Sequence, residues 1–273
     1  ISEVARELNY VQSNITMRIQ KLEQELNTTL FHRHRRGMML TPEGKKLLGY
    51  SKQILRLADE MKKSVENKEE PSGKLEIGTV ETVLQLPRIL SRFIQRYQNV
   101  DLSLITGVTE ALEQEVLQHK LDGAFVTQSE FHPDLVSHEV FREELVFISD
   151  KNTSSLEEAI EKPFLCFSEG CGYRSRLEAW YRDQNITPKK VLEFGTLETI
   201  LQSVVMGLGV TFIPRSAATH LVQNGEATWY RLPEAYSKIK TVFIRRADAY
   251  MTSTMEKFIE PIEWSQKGAA EAG

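Results

Sequence analysis

The chain is 273 residues long, 41% apolar and 26% charged, with a net charge of −4. That composition belongs to a folded protein of about two domains and excludes a wholly disordered chain. No run approaches the ~20 apolar residues of a membrane span, no basic-then-apolar leader opens the sequence, and two cysteines exclude a disulfide framework and suit a reducing cytoplasm.

Charge is unevenly placed. Residues 1–63 carry a balance of +5 and the remainder −9. A basic head on an acidic body predicts that the head meets a polyanion and the body does not. Apolar groups at Ile1, Val4, Ala5 and Leu8 fall on one helical face, and Asn9-Tyr10 interrupts the pattern. A second helix is predicted over 12–26, with Ile15, Ile19, Leu22 and Leu26 as its buried stripe. Its other face carries Gln12, Ser13, Thr16, Met17, Gln20 and Lys21. Two short helices around a tight turn describe a helix-turn-helix, whose second helix enters the major groove by its N-terminal end. Residues 30–41 follow, with Arg33, Arg35, Arg36, His32 and His34 around an Arg36-Gly37 turn. A short hairpin with that tip suits a phosphate backbone and makes the motif a winged one.

The run VQSNITMRIQKLEQELNTTLFHRHRRGMMLTPEGKKLL closely resembles the N-terminal DNA-binding domain of LysR-type transcriptional regulators. The resemblance rests on the helix beginning at Gln12, on Leu30-Phe31-x-Arg33 and on Leu40-Thr41-Pro42-x-Gly44. It implies that Gln12, Ser13, Thr16, Met17 and Arg18 approach promoter DNA and that Arg33, Arg35 and Arg36 occupy wing positions. The family places a further helix ahead of the Ile1 segment. On this reading the head, residues 1–41, is truncated at its N-terminus.

Thr41-Pro42-Glu43 reads as an N-cap, a proline at the first helical position and an acidic first turn. A linker helix is predicted over 42–68. Leu47, Tyr50, Ile54, Leu57 and Met61 recur at spacings of 3 and 4, a heptad seam. A helix of ~26 residues is too long to bury itself in a small domain, so the seam predicts self-association. The resemblance implies a homodimer, with homotetramers as the usual final state. Polar residues 67–73, ending in Pro71-Ser72-Gly73, read as a hinge that closes the linker segment 42–73.

From Lys74 strands and helices alternate, which predicts an α/β body with a mostly parallel sheet. Strands are expected over 74–79, 100–106, 123–127, 145–149, 164–167, 191–194, 210–213 and 241–245. Helices are expected over 83–97, with Pro87 as an alternative start, and over 110–119, 173–184, 197–206 and about 250–263. Residues 265–273 read as a frayed tail. The resemblance implies a two-lobed, periplasmic-binding-protein-like effector domain over 74–273. One lobe spans about 74–146 plus 247–264, the other about 147–245.

In open α/β sheets ligands sit beyond the carboxyl ends of strands, near helix N-termini that favour anions. Corners at 79–82, 106–109, 168–173 and 195–198 qualify. They nominate Thr82, Thr109, Ser168, Cys171 and Thr196 as effector contacts, and the four hydroxyl residues also serve as plain helix caps. Glu81 and Glu198 argue against a purely anionic ligand and can accept from an amine or hydroxyl. Cys171 stands in a glycine-rich loop before a helix, with Arg174 and Arg176 nearby, a setting that lowers a thiol pKa. Peroxide-sensing members of the family carry a reactive cysteine in a similar loop, and a small packing residue is the other reading.

No nucleophile elbow, phosphate loop or Cys/His array with metal spacing is present, so neither catalysis, a cofactor nor a metal is expected. The expected function is a DNA-binding regulator that answers to a small metabolite, with anions among the candidates. A solute-binding protein and a thiol-based redox sensor acting through Cys171 are the alternatives.

Overall fold

The computed structural model describes residues 5–6, 10–34, 37–65, 70–127 and 130–270. It divides into two compact units, Ile1–Lys62 and Lys63–Gly273.

In the first unit, Ala5 and Arg6 are helical, and α1 spans Gln12–Glu25. Asn27 adopts a φ of 47° and ends α1, a conformation that asparagine tolerates. Strands β1 (Phe31–His34) and β2 (Gly37–Leu40) form an antiparallel ribbon in which Phe31 faces Leu40 and His34 faces Gly37. Glu23 Oε1 accepts from the N–H groups of Leu30 and Phe31 at 2.7 and 3.2 Å, which ties α1 to the ribbon.

Thr41 starts α2 (Pro42–Val65): its Oγ1 accepts from Gly44 N–H at 2.9 Å and donates to Thr29 O at 2.8 Å. Position 44 must be glycine, because a Cβ there would lie 2.1 Å from Leu30 O. The expected stripe on α1 is only partly covered. Ile15 and Ile19 are half-buried, whereas Leu22 and Leu26 are exposed. Among the described residues the buried apolar groups of this unit are Ala5 and Leu30, too few to cover a whole helix face.

The second unit is a mixed α/β structure. Strands β3 (Gly73–Thr79), β4 (Val100–Thr106) and β5 (Gly123–Thr127) are parallel, with β3 between the other two. Helix α3 (Leu86–Arg96) follows β3, and α4 (Thr109–Leu117) follows β4. Strand β6 then runs from Leu135 to Asp150 without a break. Its last residues enter a second lobe, which comprises α5 (Leu156–Ile160), β7 (Phe164–Cys166), α6 (Gly172–Asp183), β8 (Val191–Glu193), α7 (Leu197–Val205), β9 (Thr211–Pro214), α8 (Arg215–Gln223), β10 (Ala227–Arg231) and α9 (Glu234–Ser237). Strand β11 (Lys238–Arg246) returns antiparallel to β6, and α10 (Ser253–Ala270) closes the chain.

The sheet is therefore not mostly parallel, as the alternation of elements predicted. Strands β6 and β11 cross between the lobes as an antiparallel pair, with a register shift between Thr241 and Val242. Each belongs to both lobes, so one seven-stranded sheet, ordered β10-β6-β11-β5-β3-β4 with β9 on β6, runs through the unit.

Phe93, Phe125, Phe243 and Phe258 fill the first lobe, with Phe125 and Phe243 centroids 5.0 Å apart and Phe243 and Phe258 centroids 5.5 Å apart. Each such buried side chain stabilises the fold by about 1.5–3 kcal/mol relative to exposure. Phe258 lies on α10, so the C-terminal helix packs back on the first lobe. That helix continues to Ala270, past the start of the predicted frayed tail. The predicted hinge also needs correction at its end. Ser72 N–H donates to Thr254 Oγ1 at 3.0 Å and Ser72 O accepts from it at 3.1 Å, which pins that residue to α10. Residues 66–69 lie outside the described residues.

Candidate functional site

Four strand-to-helix corners surround one cavity of about 480 Å³ between the lobes. The first lobe supplies Val80, Glu81 and Thr82 after β3, the loop from Thr106 to Thr109 after β4, and Thr127 at the end of β5. The second lobe supplies Phe167, Ser168, Cys171, Gly172 and Tyr173 around the start of α6, and Glu193 to Thr196 between β8 and α7. Thr82, Thr109, Ser168, Cys171 and Thr196 are all among these residues. Thr127 and Tyr173 join them. As the last residue of a parallel strand, Thr127 satisfies the same carboxyl-end rule that nominated the others.

The hydroxyls do not all cap helices. Thr196 does: its Oγ1 accepts from Thr199 N–H at 3.3 Å. Thr82 stands four residues ahead of α3, and its buried Oγ1 instead lies 2.5 Å from Tyr173 OH in the other lobe. Thr109 is already the first residue of α4, whose N-cap is Val108, and its Oγ1 pairs with Thr127 Oγ1 at 2.8 Å. Ser168 is exposed and precedes the N-cap of α6, which is Cys171.

Two more bonds cross the cleft. Leu197 N–H donates to Glu81 Oε2 at 2.5 Å, and Glu110 N–H donates to Gly170 O at 3.2 Å. The second needs close backbone approach. Gly170 has a φ of +84°, and a Cβ on it would come within 2.9 Å of Glu110 Cβ. On the same loop a Cβ on Gly172 would lie 2.1 Å from Thr127 Oγ1. The glycines of residues 168–173 thus let the second lobe rest directly on the first.

The thiol setting is the reverse of an activated one. Cys171 is buried, and burial pushes its pKa up despite the N–H groups of Arg174 and Tyr173. Cys166 is pushed up to about 12, again chiefly by burial. Arg174 does not act as a dedicated thiolate partner: its Nε binds Glu178 Oε1 at 2.7 Å and its Nη1 binds Glu193 Oε1 at 2.6 Å. Burial likewise raises the Tyr173 phenol, so it stays a neutral hydroxyl.

Residues 1–45 match the bacterial regulatory helix-turn-helix protein domain of the lysR family, and residues 68–264 match the LysR substrate binding domain. The chain belongs to the LysR family of bacterial transcriptional regulators. It is 54% identical over 263 residues to the HTH-type transcriptional regulator SoxR of Arthrobacter sp. (strain TE1826), a match covering 96% of this chain and 91% of that one. It is 51% identical to CzcR of Bacillus anthracis, with the same coverage. Full-length CbnR, solved with its target DNA, shares the fold at a TM-score of 0.67 and 18% identity, over 97% of this chain and 93% of that chain.

As a LysR-type protein the chain is a DNA-binding transcriptional regulator with an effector-binding domain. Its head presents a polar surface suited to the first task. Gln12, Ser13, Met17 and Arg18 on α1 are exposed and Thr16 is half-buried, with its Oγ1 donating to Gln12 O at 3.1 Å. The Arg18 guanidinium lies 5.3 Å from the Tyr10 ring centroid. Arg33 falls on β1 with its side chain outside the description, and Arg35 and Arg36 lie outside the described residues. On α2, Tyr50, Ile54, Leu57 and Met61 are exposed and Leu47 is half-buried. No helix among the described residues is long and apolar enough to cross a membrane.

Proposed function

We propose that the interlobe cavity is the effector site and that its occupancy sets how the protein engages a promoter. The supporting observation is the convergence of four corners, drawn from both lobes, on one cavity whose walls are joined by direct hydrogen bonds. A ligand there alters lobe closure through its differential affinity for the two arrangements, and only that difference transmits a signal. Thr82, Thr109, Ser168, Cys171 and Thr196 are its nearest contacts.

On the DNA side, Gln12, Ser13, Thr16, Met17 and Arg18 meet base edges or phosphates of a major groove, and Arg33, Arg35 and Arg36 meet the flanking backbone. The α2 seam pairs two copies of the chain, so that two heads read related half-sites. The exposed apolar groups on α2 support that pairing, because such a stripe is stable in water once a second helix covers it. A dimer, alone or paired into a tetramer, works in the cytoplasm, where the promoter is.

Footprinting on promoter DNA selected from the genome tests this reading. The wild type should protect two half-sites, and Tyr173→Phe, which breaks a bond between the lobes, should change the extent of protection. Identical footprints from both proteins would remove the cleft from the mechanism.

A further inference from the structure

Two of the helix N-termini that face the cavity donate to groups of the opposite lobe. At α7, Leu197 N–H is taken by the Glu81 carboxylate of the opposite lobe, and Thr199 N–H by Thr196 Oγ1. At α4, Glu110 N–H is taken by Gly170 O. At the α7 corner, the Leu197 and Thr199 N–H groups that would otherwise receive an effector carboxylate are therefore taken by the chain itself.

The charges agree. The ionisable acids lining the cavity are Glu81 and Glu193, and no lysine or arginine is among the described lining residues. Arg174, whose Nη1 reaches Phe167 O and Glu193 at the cavity wall, is held by Glu193, Glu178 and Glu169. A carboxylate entering at α7 would have to displace Glu81 from the partial positive charge of that helix and then sit beside a second glutamate. An ammonium group meets the opposite situation: carboxylate oxygens and threonine hydroxyls are acceptors for its three donors.

We propose that Glu81 is the specificity residue of the cleft: its carboxylate occupies the α7 N-terminus as an internal anion, so the site favours amine-bearing effectors over carboxylates and small oxyanions. This rests on the reading of the cavity as the effector site, and it assigns the ligand class that such a site takes.

Calorimetric titration of the full chain with benzylamine, benzoate and sulfate, at constant ionic strength, tests it. None of these probes requires DNA. Wild type should bind benzylamine at least about fivefold more tightly than benzoate and give no saturable heat with sulfate, as expected for one unit charge at a helix end. Glu81→Ala should gain at least about fivefold in affinity for both anions and lose affinity for benzylamine. Glu81→Gln, which keeps an oxygen for Leu197 N–H, should lose the preference for benzylamine and provides the same reading if the alanine variant does not fold. Equal binding of benzoate and benzylamine by wild type, or no gain of anion affinity in Glu81→Ala or loss of preference in Glu81→Gln, overturns the proposal. A protein that behaves as expected here yet shows identical footprints for wild type and Tyr173→Phe would keep this assignment and lose the regulatory one.

Discussion

Thr82 Oγ1 and Tyr173 OH lie 2.5 Å apart across the cleft, 91 residues apart in sequence, and both are buried. Removing one partner leaves the other hydroxyl unsatisfied, whereas removing both leaves an apolar contact. Tyr173→Phe and Thr82→Val should each lower stability by about 1–2 kcal/mol in urea denaturation, and the double variant should lose less than the sum. Strict additivity would mean that the bond does not join the lobes in solution.

The buried thiols predict slow chemistry. At pH 7.5 both Cys166 and Cys171 should resist iodoacetamide and peroxide in the native protein and react readily after unfolding, as followed by mass spectrometry. Rapid native modification of Cys171 would revive the redox-sensor alternative. The raised thiol pKa values also fix a pH trend. The folded state holds these protons more tightly than the unfolded state, so stability should fall as pH rises from the ordinary thiol value of 9.0 toward about 12 for Cys166.

Glu143 sits on the crossover strand β6, where burial pushes its pKa up although Ser216 and Thr241 donate to it at 2.9 and 3.4 Å. A carboxyl raised above 4.5 in the folded state costs stability at every pH above its folded value and costs nothing once both states are protonated. Glu143→Gln keeps the acceptor and removes the buried charge. Its thermal midpoint should exceed that of wild type at pH 7, and the difference should shrink toward pH 4. A difference that stays constant with pH would contradict the assignment.

Ile54 and Leu57 are 65% and 46% exposed on α2 in the isolated chain, the right setting for a seam that a second helix covers. Ile54→Glu with Leu57→Glu should shift the sedimentation coefficient to that of a monomer and leave far-ultraviolet ellipticity nearly unchanged. An oligomer that survives the pair would place the association surface elsewhere.

Local signals were legible and distant ones were not. Thr41-Pro42 started a helix as its capping chemistry dictates, and the strand at Gly123–Thr127 was read with its observed bounds. Strand β6 was foreseen only over 145–149, because charged residues interrupt the apolar pattern of residues 138–144 and hide the crossover. The elements α8 and β10 were missed, although Asn224-Gly225 marks the turn between them and Thr228-Trp229-Tyr230 favours a strand. At the cleft, strand ends pointed to loops that line one cavity. The partners of individual side chains did not follow from that, since Glu81 meets Leu197 over 116 residues and a hydroxyl before a helix reads as a cap whether or not it is one.

The account depends most on sequence reading by the helix that begins at Gln12. Fluorescence anisotropy on a promoter fragment and on a shuffled fragment of equal length, across a salt series, tests it directly. Wild type should prefer the promoter, and Gln12→Ala/Ser13→Ala/Thr16→Ala should lose most of that preference, at about 1–3 kcal/mol per lost base contact, while keeping its salt dependence. Arg33→Ala/Arg35→Ala/Arg36→Ala should weaken both fragments alike and flatten the salt slope. A wild type that does not discriminate between the fragments at any salt concentration, or a helix variant that discriminates as well as wild type, would contradict it.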